Sequence, residues 1–287
     1  MNICLLGLSG SGKTCYLYTA AHVLGKGVKV NEHTLSIIPD NHVQKIRLNN
    51  GILDMSNQKW PEGSQQTTKY SFHLRIDGEE TVPFGIYDFR GSMLEGLSAN
   101  DIRQVEELME AFDESACIII LIDGDTLLAA IEEEKVYSEH RNEGISQLEA
   151  RIKIDYIESL IRECNKRMNR RVPVLLTITK KDIFYPDELQ AGKALLKELL
   201  PSMFAKNSDM IVGITAVTLG ENLSNEDGKL EGKLYLNTKG NVHLPILFAL
   251  FQGIDADGNS ELHRLMINLF TPDKIDFYRG GRIAILV

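Results

Sequence analysis

The stretch Gly7 to Thr14, GLSGSGKT, matches G-x-x-x-x-G-K-S/T and follows the apolar run Ile3, Cys4, Leu5, Leu6. A strand, a glycine-rich loop and a helix in that order are the frame of a phosphate-binding loop, and they fix the start of the fold. A nucleoside triphosphate carries dense negative charge, and glycines let the backbone wrap closely enough to point its N–H groups at the phosphate oxygens. The helix that starts near Lys13 adds its positive end, the Lys13 ammonium can reach the β and γ oxygens, and the Thr14 hydroxyl can join the shell of a Mg²⁺ ion. The residues offered to the nucleotide are Gly7, Ser9, Gly10, Ser11, Gly12, Lys13, Thr14 and Cys15. The loop alone does not choose between ATP and GTP, and it would suit a transporter-type ATPase or a small-molecule kinase as well.

The chain has 287 residues, 43% of them hydrophobic, which is enough for one large α/β domain or two small ones with a full core. A formal net charge of -9 argues against a broad basic surface for nucleic acid and favours proteins or small molecules as partners. Cys4, Cys15, Cys117 and Cys164 lack the spacing of a metal site or a disulfide framework, so they read as core fillers in a reducing compartment. No signal-peptide pattern and no apolar run of about 20 residues is present, which places the protein in the cytoplasm with no membrane span.

After the first helix, closed by Gly25 and Gly27, come a strand in VKVNEHTLSII and a helical segment begun by Pro39 and running to about Leu53, with Val43, Ile46 and Leu53 near one face. The polar stretch from Ser56 to Lys69 reads as a loop. Strands over Tyr70 to Ile76 and Val82 to Tyr87, joined across Asp77 and Gly78, form an antiparallel hairpin. Downstream, helices near Asp101 to Phe112, within Ile145 to Met168 and near Asp187 to Leu199 alternate with strands at CIIILID, VPVLLTI and MIVGIT. That rhythm predicts an α/β fold of three layers: a mostly parallel sheet with one antiparallel strand, helices on both faces, and a ligand site at the carboxyl ends of the strands. Glu221 to Gly240 reads as an exposed insertion. The chain closes with KIDFY, a Gly280, Gly281 turn and RIAILV, a candidate terminal hairpin.

Two later segments bear on the nucleotide. Asp88, Phe89, Arg90, Gly91 form a D-x-x-G at a strand end, where Asp88 would hold Mg²⁺ through water and the Gly91 N–H would meet a γ-phosphate. Thr179, Lys180, Lys181, Asp182 follow VPVLLTI. Here the chain resembles the P-loop GTPases of the translation-factor and Ras-like class, whose base-reading motif N-K-x-D has T-K-x-D as a variant. The chemistry agrees: the Asp182 carboxylate can accept two hydrogen bonds from the guanine N1–H and amine, which adenine cannot supply, while the Lys180 stem lies along the base. Thr215, Ala216, Val217 look like the family's S-A-K element, with Val217 in the place of the lysine. Trp60 to Ser64 resembles the W-P-x-G-S/T phrase of bacterial double-GTPase-type domains. The resemblance implies a GTPase-like domain over residues 1–252, with insertions near 27–55 and 220–240, and a C-terminal extension over 253–287.

Catalytic parts are thinner. Ras-like enzymes place a water-orienting Gln directly after D-x-x-G, and here that residue is Ser92. Gln65, Gln66 or Arg90, the last as a cis arginine finger, could substitute. The first switch owes a hydroxyl to Mg²⁺; Ser64, Thr67 and Thr68 qualify, with Thr67 preferred because Thr68 and Tyr70 belong to the start of the paired strand. The expected ligands are Mg²⁺ and GTP or GDP, bound by a slow GTPase acting as a switch, with a protein effector or activator and a nucleotide-dependent dimer as partners. The alternatives are a nucleotide-binding scaffold with little turnover and a P-loop ATPase or small-molecule kinase.

Overall fold

The N-terminal apolar run becomes β1, Asn2–Leu6, which lies inside a ten-stranded sheet. The computed structural model describes residues 1–61, 66–91, 102–136, 154–206, 208, 210–226, 229–256, 265–280 and 282–284. Successive side chains of a strand point to opposite faces, and along β1 Ile3 and Leu5 enter one core while Cys4 and Leu6 enter another. A strand covered on both sides needs apolar residues at every position, so this run shows no alternation.

Strands β5 (Glu79–Asp88) and β6 (Ser115–Ile122) flank β1 in parallel, and β7 (Val174–Ile178) and β8 (Ile211–Ala216) continue the parallel order. The first core includes α1 (Lys13–Lys26) and α8 (Leu244–Ala256). The opposite core is built from α3 (Ile102–Asp113), α4 (Gly124–Val136), α5 (Ile154–Met168), α6 (Pro186–Leu199) and the short α7 (Pro201–Phe204), which adds Met203. This is the expected three-layer α/β architecture.

More of the sheet is antiparallel than the one strand expected. Beyond β5 come β4 (Thr68–Ile76), β3 (His33–Pro39) and β2 (Val28–Val30), each antiparallel to its neighbour. Beyond β8 come β11 (Ile275–Arg279) and β12 (Arg282–Ile283), also antiparallel pairings. VKVNEHTLSII is thus two strands rather than one, because Asn31 takes φ 55 and turns the chain back. The β4–β5 turn carries positive φ at both Asp77 (51) and Gly78 (91), the backbone that a two-residue hairpin demands.

Helix α2, His42–Ser56, corrects a further expectation. Pro39 closes β3 rather than opening the helix, and Asn41 caps α2 by accepting from the Gln44 N–H at 2.9 Å. The buried face holds Leu48, Gly51, Ile52 and Met55, whereas Val43, Ile46 and Leu53 are exposed. Helices α4 and α8 were not anticipated. The stretch from Glu221 to Gly240, expected as an exposed insertion, holds most of a hairpin, β9 (Gly220–Glu226) with β10 (Lys229–Leu234). Leu230 of that hairpin is buried in the first core, and its N–H reaches the Gln58 carbonyl at 2.9 Å, just past α2.

All four cysteines are buried free thiols. Burial is the leading cause that pushes Cys4 and Cys15 up to about 12 and Cys164 to about 11, and it raises Cys117 as well. Reading them as core fillers agrees with this.

At Gly51 an added Cβ would stand 2.2 Å from the ring of Tyr18, itself buried on α1. The α1–α2 contact therefore depends on a missing side chain. Gly51→Leu should lower stability by about 1–3 kcal/mol through overpacking. Thermal and denaturant unfolding of the variant check this; unchanged stability would mean that α2 can shift on α1 without loss.

Candidate nucleotide site

The parallel order brings the carboxyl ends of β1, β5, β7 and β8 to one edge of the sheet, with Leu5 in register with Asp88. Leaving β1, the loop carries Gly10 at φ 80 and Gly12 at φ 85, a backbone open to glycine with least strain. At Gly7 an added Cβ would lie 2.6 Å from Ser11 Oγ and 3.0 Å from the Leu121 carbonyl, so this glycine is required by close approach as well. Lys13 is 6% exposed, and its Nζ donates to the carbonyls of Gly7 at 2.7 Å and Leu8 at 3.1 Å. The buried Ser11 Oγ has no hydrogen-bond partner among the described residues, so the loop holds an unused hydroxyl. Thr14 is half-buried in the first turn of α1, and Cys15 is buried behind it.

At the end of β5, Asp88 is completely buried, and its register partner across the sheet is Thr68. Thr67, half-buried, immediately precedes that pair, which brings it to the Asp88 end of the site. Arg90 is half-buried. Gly91 presses on the phosphate loop: an added Cβ would stand 2.4 Å from Ser9 N and 2.6 Å from Ser9 Cα. Ser64, Gln65 and Ser92 lie outside the described residues, as do the other residues at 62–65.

At the end of β7, Thr179 donates its N–H (2.9 Å) and its hydroxyl (3.2 Å) to the Ile122 carbonyl of β6. Lys180 takes left-handed φ 54, and its ammonium meets Asp123 at 2.7 Å and Asp125 at 2.5 Å. Burial pulls that ammonium down, but the hydrogen bonds and charges of the two aspartates outweigh it and hold Lys180 above the usual lysine range. Asp182 is exposed, and one of its oxygens accepts from Thr218 Oγ1 at 2.5 Å.

The segment Thr215, Ala216, Val217 is occupied structurally. The Thr215 hydroxyl donates to the Lys274 carbonyl at 2.7 Å, the Val217 side chain is buried in the first core, and the Val217 N–H donates to the Ile178 carbonyl at 2.8 Å. Thr218, which belongs to no motif in the sequence, supplies the hydroxyl that meets Asp182. A Thr just after a strand end is a weak signal, and only the path of the chain beyond β8 reveals its use. Asp123 and Asp125 were missed for the same reason, since 55 residues separate Asp125 from Lys180.

The sequence profile of the Double-GTPase 2 family matches residues 2–228, and the chain belongs to that family. No curated protein sequence matches it. Among solved structures the chain is similar to the translation elongation factor SelB of Methanococcus maripaludis in complex with the GTP analogue GppNHp, at 15% identity and TM-score 0.35, covering 76% of this chain and 29% of that one. It is similar also to the G domain of the T. maritima FeoB iron transporter, at 13% identity and TM-score 0.30, covering 76% and 87%. A third similar structure is a probable GTP-binding protein, engB, at 14% identity and TM-score 0.40, covering 89% and 99%. The chain thus spans 29% of the elongation factor's length. Family membership makes it a GTPase-type P-loop domain. No helix among the described residues is long and apolar enough to cross a membrane.

The contact of Gly91 with Ser9 generates a test of its own. Gly91→Ala must move the segment after β5 away from the loop, because the added methyl would meet backbone atoms that have no rotamer to escape into. Amide hydrogen exchange over residues 8–12 should quicken severalfold in the variant while the core strands keep their protection. Unaltered exchange there would mean that the contact does not restrain the loop.

Proposed function

We propose that the chain binds GTP with Mg²⁺, hydrolyses it slowly, and serves as a nucleotide-dependent switch. The observation that carries this reading is the Asp182 carboxylate, exposed and oriented by Thr218, on the same sheet edge as the phosphate loop. An acceptor held there matches the two donors of guanine and rejects adenine, because a mismatched base leaves a charged group without its partners.

Lys13 and the loop N–H groups would take the β and γ phosphates, with Ser11 Oγ as an added donor. Among the described residues no group of three His, Cys, Asp or Glu side chains gathers into a metal cage. Mg²⁺ commonly binds through one or two protein oxygens plus phosphates, and the hydroxyls of Thr14 and Thr67 with the buried Asp88 carboxylate are hard oxygen donors of that kind. Bound there, the ion would neutralise charge on the β and γ phosphates. The Gly91 N–H would meet the γ-phosphate, and its closeness to Ser9 supports a segment poised to respond to that group. Thr67 would be drawn in beside Asp88 at the same time. Arg90 is the cis group available to the developing charge, in a chain where the residue after Gly91 is Ser92 rather than Gln.

On this reading residues 1–252 form the nucleotide domain, with the segments near 27–55 and 220–240 as insertions and 253–287 as an extension. The partners are a guanine nucleotide and a protein effector or activator, with a nucleotide-dependent dimer as a further assembly, and the cytoplasm is the proposed location.

Titration with GTP, GDP and ATP tests the binding, and phosphate release under multiple turnover tests the chemistry. GTP and GDP should bind well ahead of ATP, and the pure protein should turn over on the order of 10⁻⁴ to 10⁻² s⁻¹, as unassisted GTPases do. Equal affinity for ATP and GTP would sink the guanine reading, and no measurable turnover would reduce the protein to a nucleotide-binding scaffold.

Replacing Asp182 sharpens the same test. In Asp182→Asn an amide donor faces the guanine amine, so GTP should lose about 1.5–3 kcal/mol, while xanthosine triphosphate, with a carbonyl at that position, should gain on it. Competition among GTP, XTP and ATP for the native and substituted proteins reads the swing; an unchanged preference would make Thr179 to Asp182 a plain helix entry.

A further inference from the structure

Lys180 is held in a way that the base-reading motif alone does not require. Its backbone lies in the left-handed region, φ 54 and ψ 41, which a residue with a Cβ adopts only where its surroundings enforce it. On either side of it the Thr179 N–H donates to the Ile122 carbonyl at 2.9 Å and the Lys181 N–H to the Val217 carbonyl at 3.0 Å, and the turn Asp123, Gly124, Asp125 lies against it at the end of the neighbouring strand β6. Gly124 lies so close that an added Cβ would stand 2.3 Å from the Thr179 carbonyl and 3.1 Å from Lys180 Cβ. The carboxylates on either side take the ammonium, Asp123 at 2.7 Å and Asp125 at 2.5 Å. Asp123 is fixed in turn, since its other oxygen accepts from the N–H of Thr126 at 3.2 Å and from its hydroxyl at 3.0 Å in the first turn of α4.

We infer that Asp123 and Asp125 are a positioning pair that holds the Lys180 stem as a shelf for the guanine ring. The inference rests on the guanine reading proposed above. An unrestrained lysine populates many rotamers, and confining it would oppose nucleotide binding. Two links to a rigid turn confine it when the protein folds, so the base meets a ready-made apolar stem. The glycine between the aspartates lets the turn approach closely enough for both carboxylates to reach one ammonium.

The experiment is a GDP titration of four proteins: native, Asp123→Asn with Asp125→Asn, Lys180→Ala, and the triple variant. Asparagine keeps the capping oxygen that Thr126 uses, and thermal unfolding verifies that each variant is folded; if the paired substitution unfolds, Asp125→Asn alone takes its place, with Lys180→Ala added to it. Loss of the carboxylates should weaken GDP about tenfold, and the triple variant should bind no worse than Lys180→Ala, because without the lysine the carboxylates have nothing to position. Asp125→Glu should restore most of the affinity lost in Asp125→Asn. Native-like GDP affinity in the paired variant overturns the inference, and so does an additive loss in the triple variant. A native protein that binds neither GDP nor GTP overturns the guanine reading itself, and this inference with it.

Discussion

The burial of β1 on both faces is the constraint from which the rest of the molecule follows. A strand with Ile3 and Leu5 in one core and Cys4 and Leu6 in the other cannot be a sheet edge or a half-exposed hairpin arm. Helices must cover it twice, and parallel neighbours with crossover helices meet that requirement. The loop after such a strand emerges at the carboxyl edge, beside the ends of its neighbours. Phosphate loop, Asp88 and Asp182 therefore share one edge although they lie far apart in the chain.

Antiparallel strands extend this core on both flanks. On one side, β2, β3 and β4 place Thr68 next to Asp88; on the other, β11 covers β8, and the Thr215 hydroxyl meets the Lys274 carbonyl before that strand. The hairpin β9–β10 leaves directly from the Thr218 turn and reaches the end of α2 through Leu230 and Gln58. Chain that a minimal parallel sheet would not need is thus packed beside Asp88 on one flank and beside Thr215 and Thr218 on the other.

What is legible in the sequence is what local chemistry decides. The glycines of the phosphate loop, the Asp77, Gly78 turn and the strand runs each carry their signal within a few residues. In helix α2 apolar residues sit on both sides, and Tyr18 on another helix selects the side with Gly51, while Asn41 and Gln44 carry a local capping signal. Helix α8 gave no period, since LPILFALF is buried all round and so has no polar face to mark it. In α4 the acidic run at Glu132 to Glu134 masks the pattern of the apolar residues Leu127, Ala130 and Ile131 that face the core. At the site, Thr218, Asp123 and Asp125 act on residues remote in sequence, so nothing beside them announces the role.

The buried state of the four native thiols has a practical side. Thiolate is the form that attacks maleimides and iodoacetamides, and groups raised this far out of the neutral range supply almost none of it. The native chain is in effect already a cysteine-light background. A single cysteine introduced on an exposed surface, such as the outer face of α2 at Val43, would take a spectroscopic probe there alone, with none of the core residues having to be replaced first.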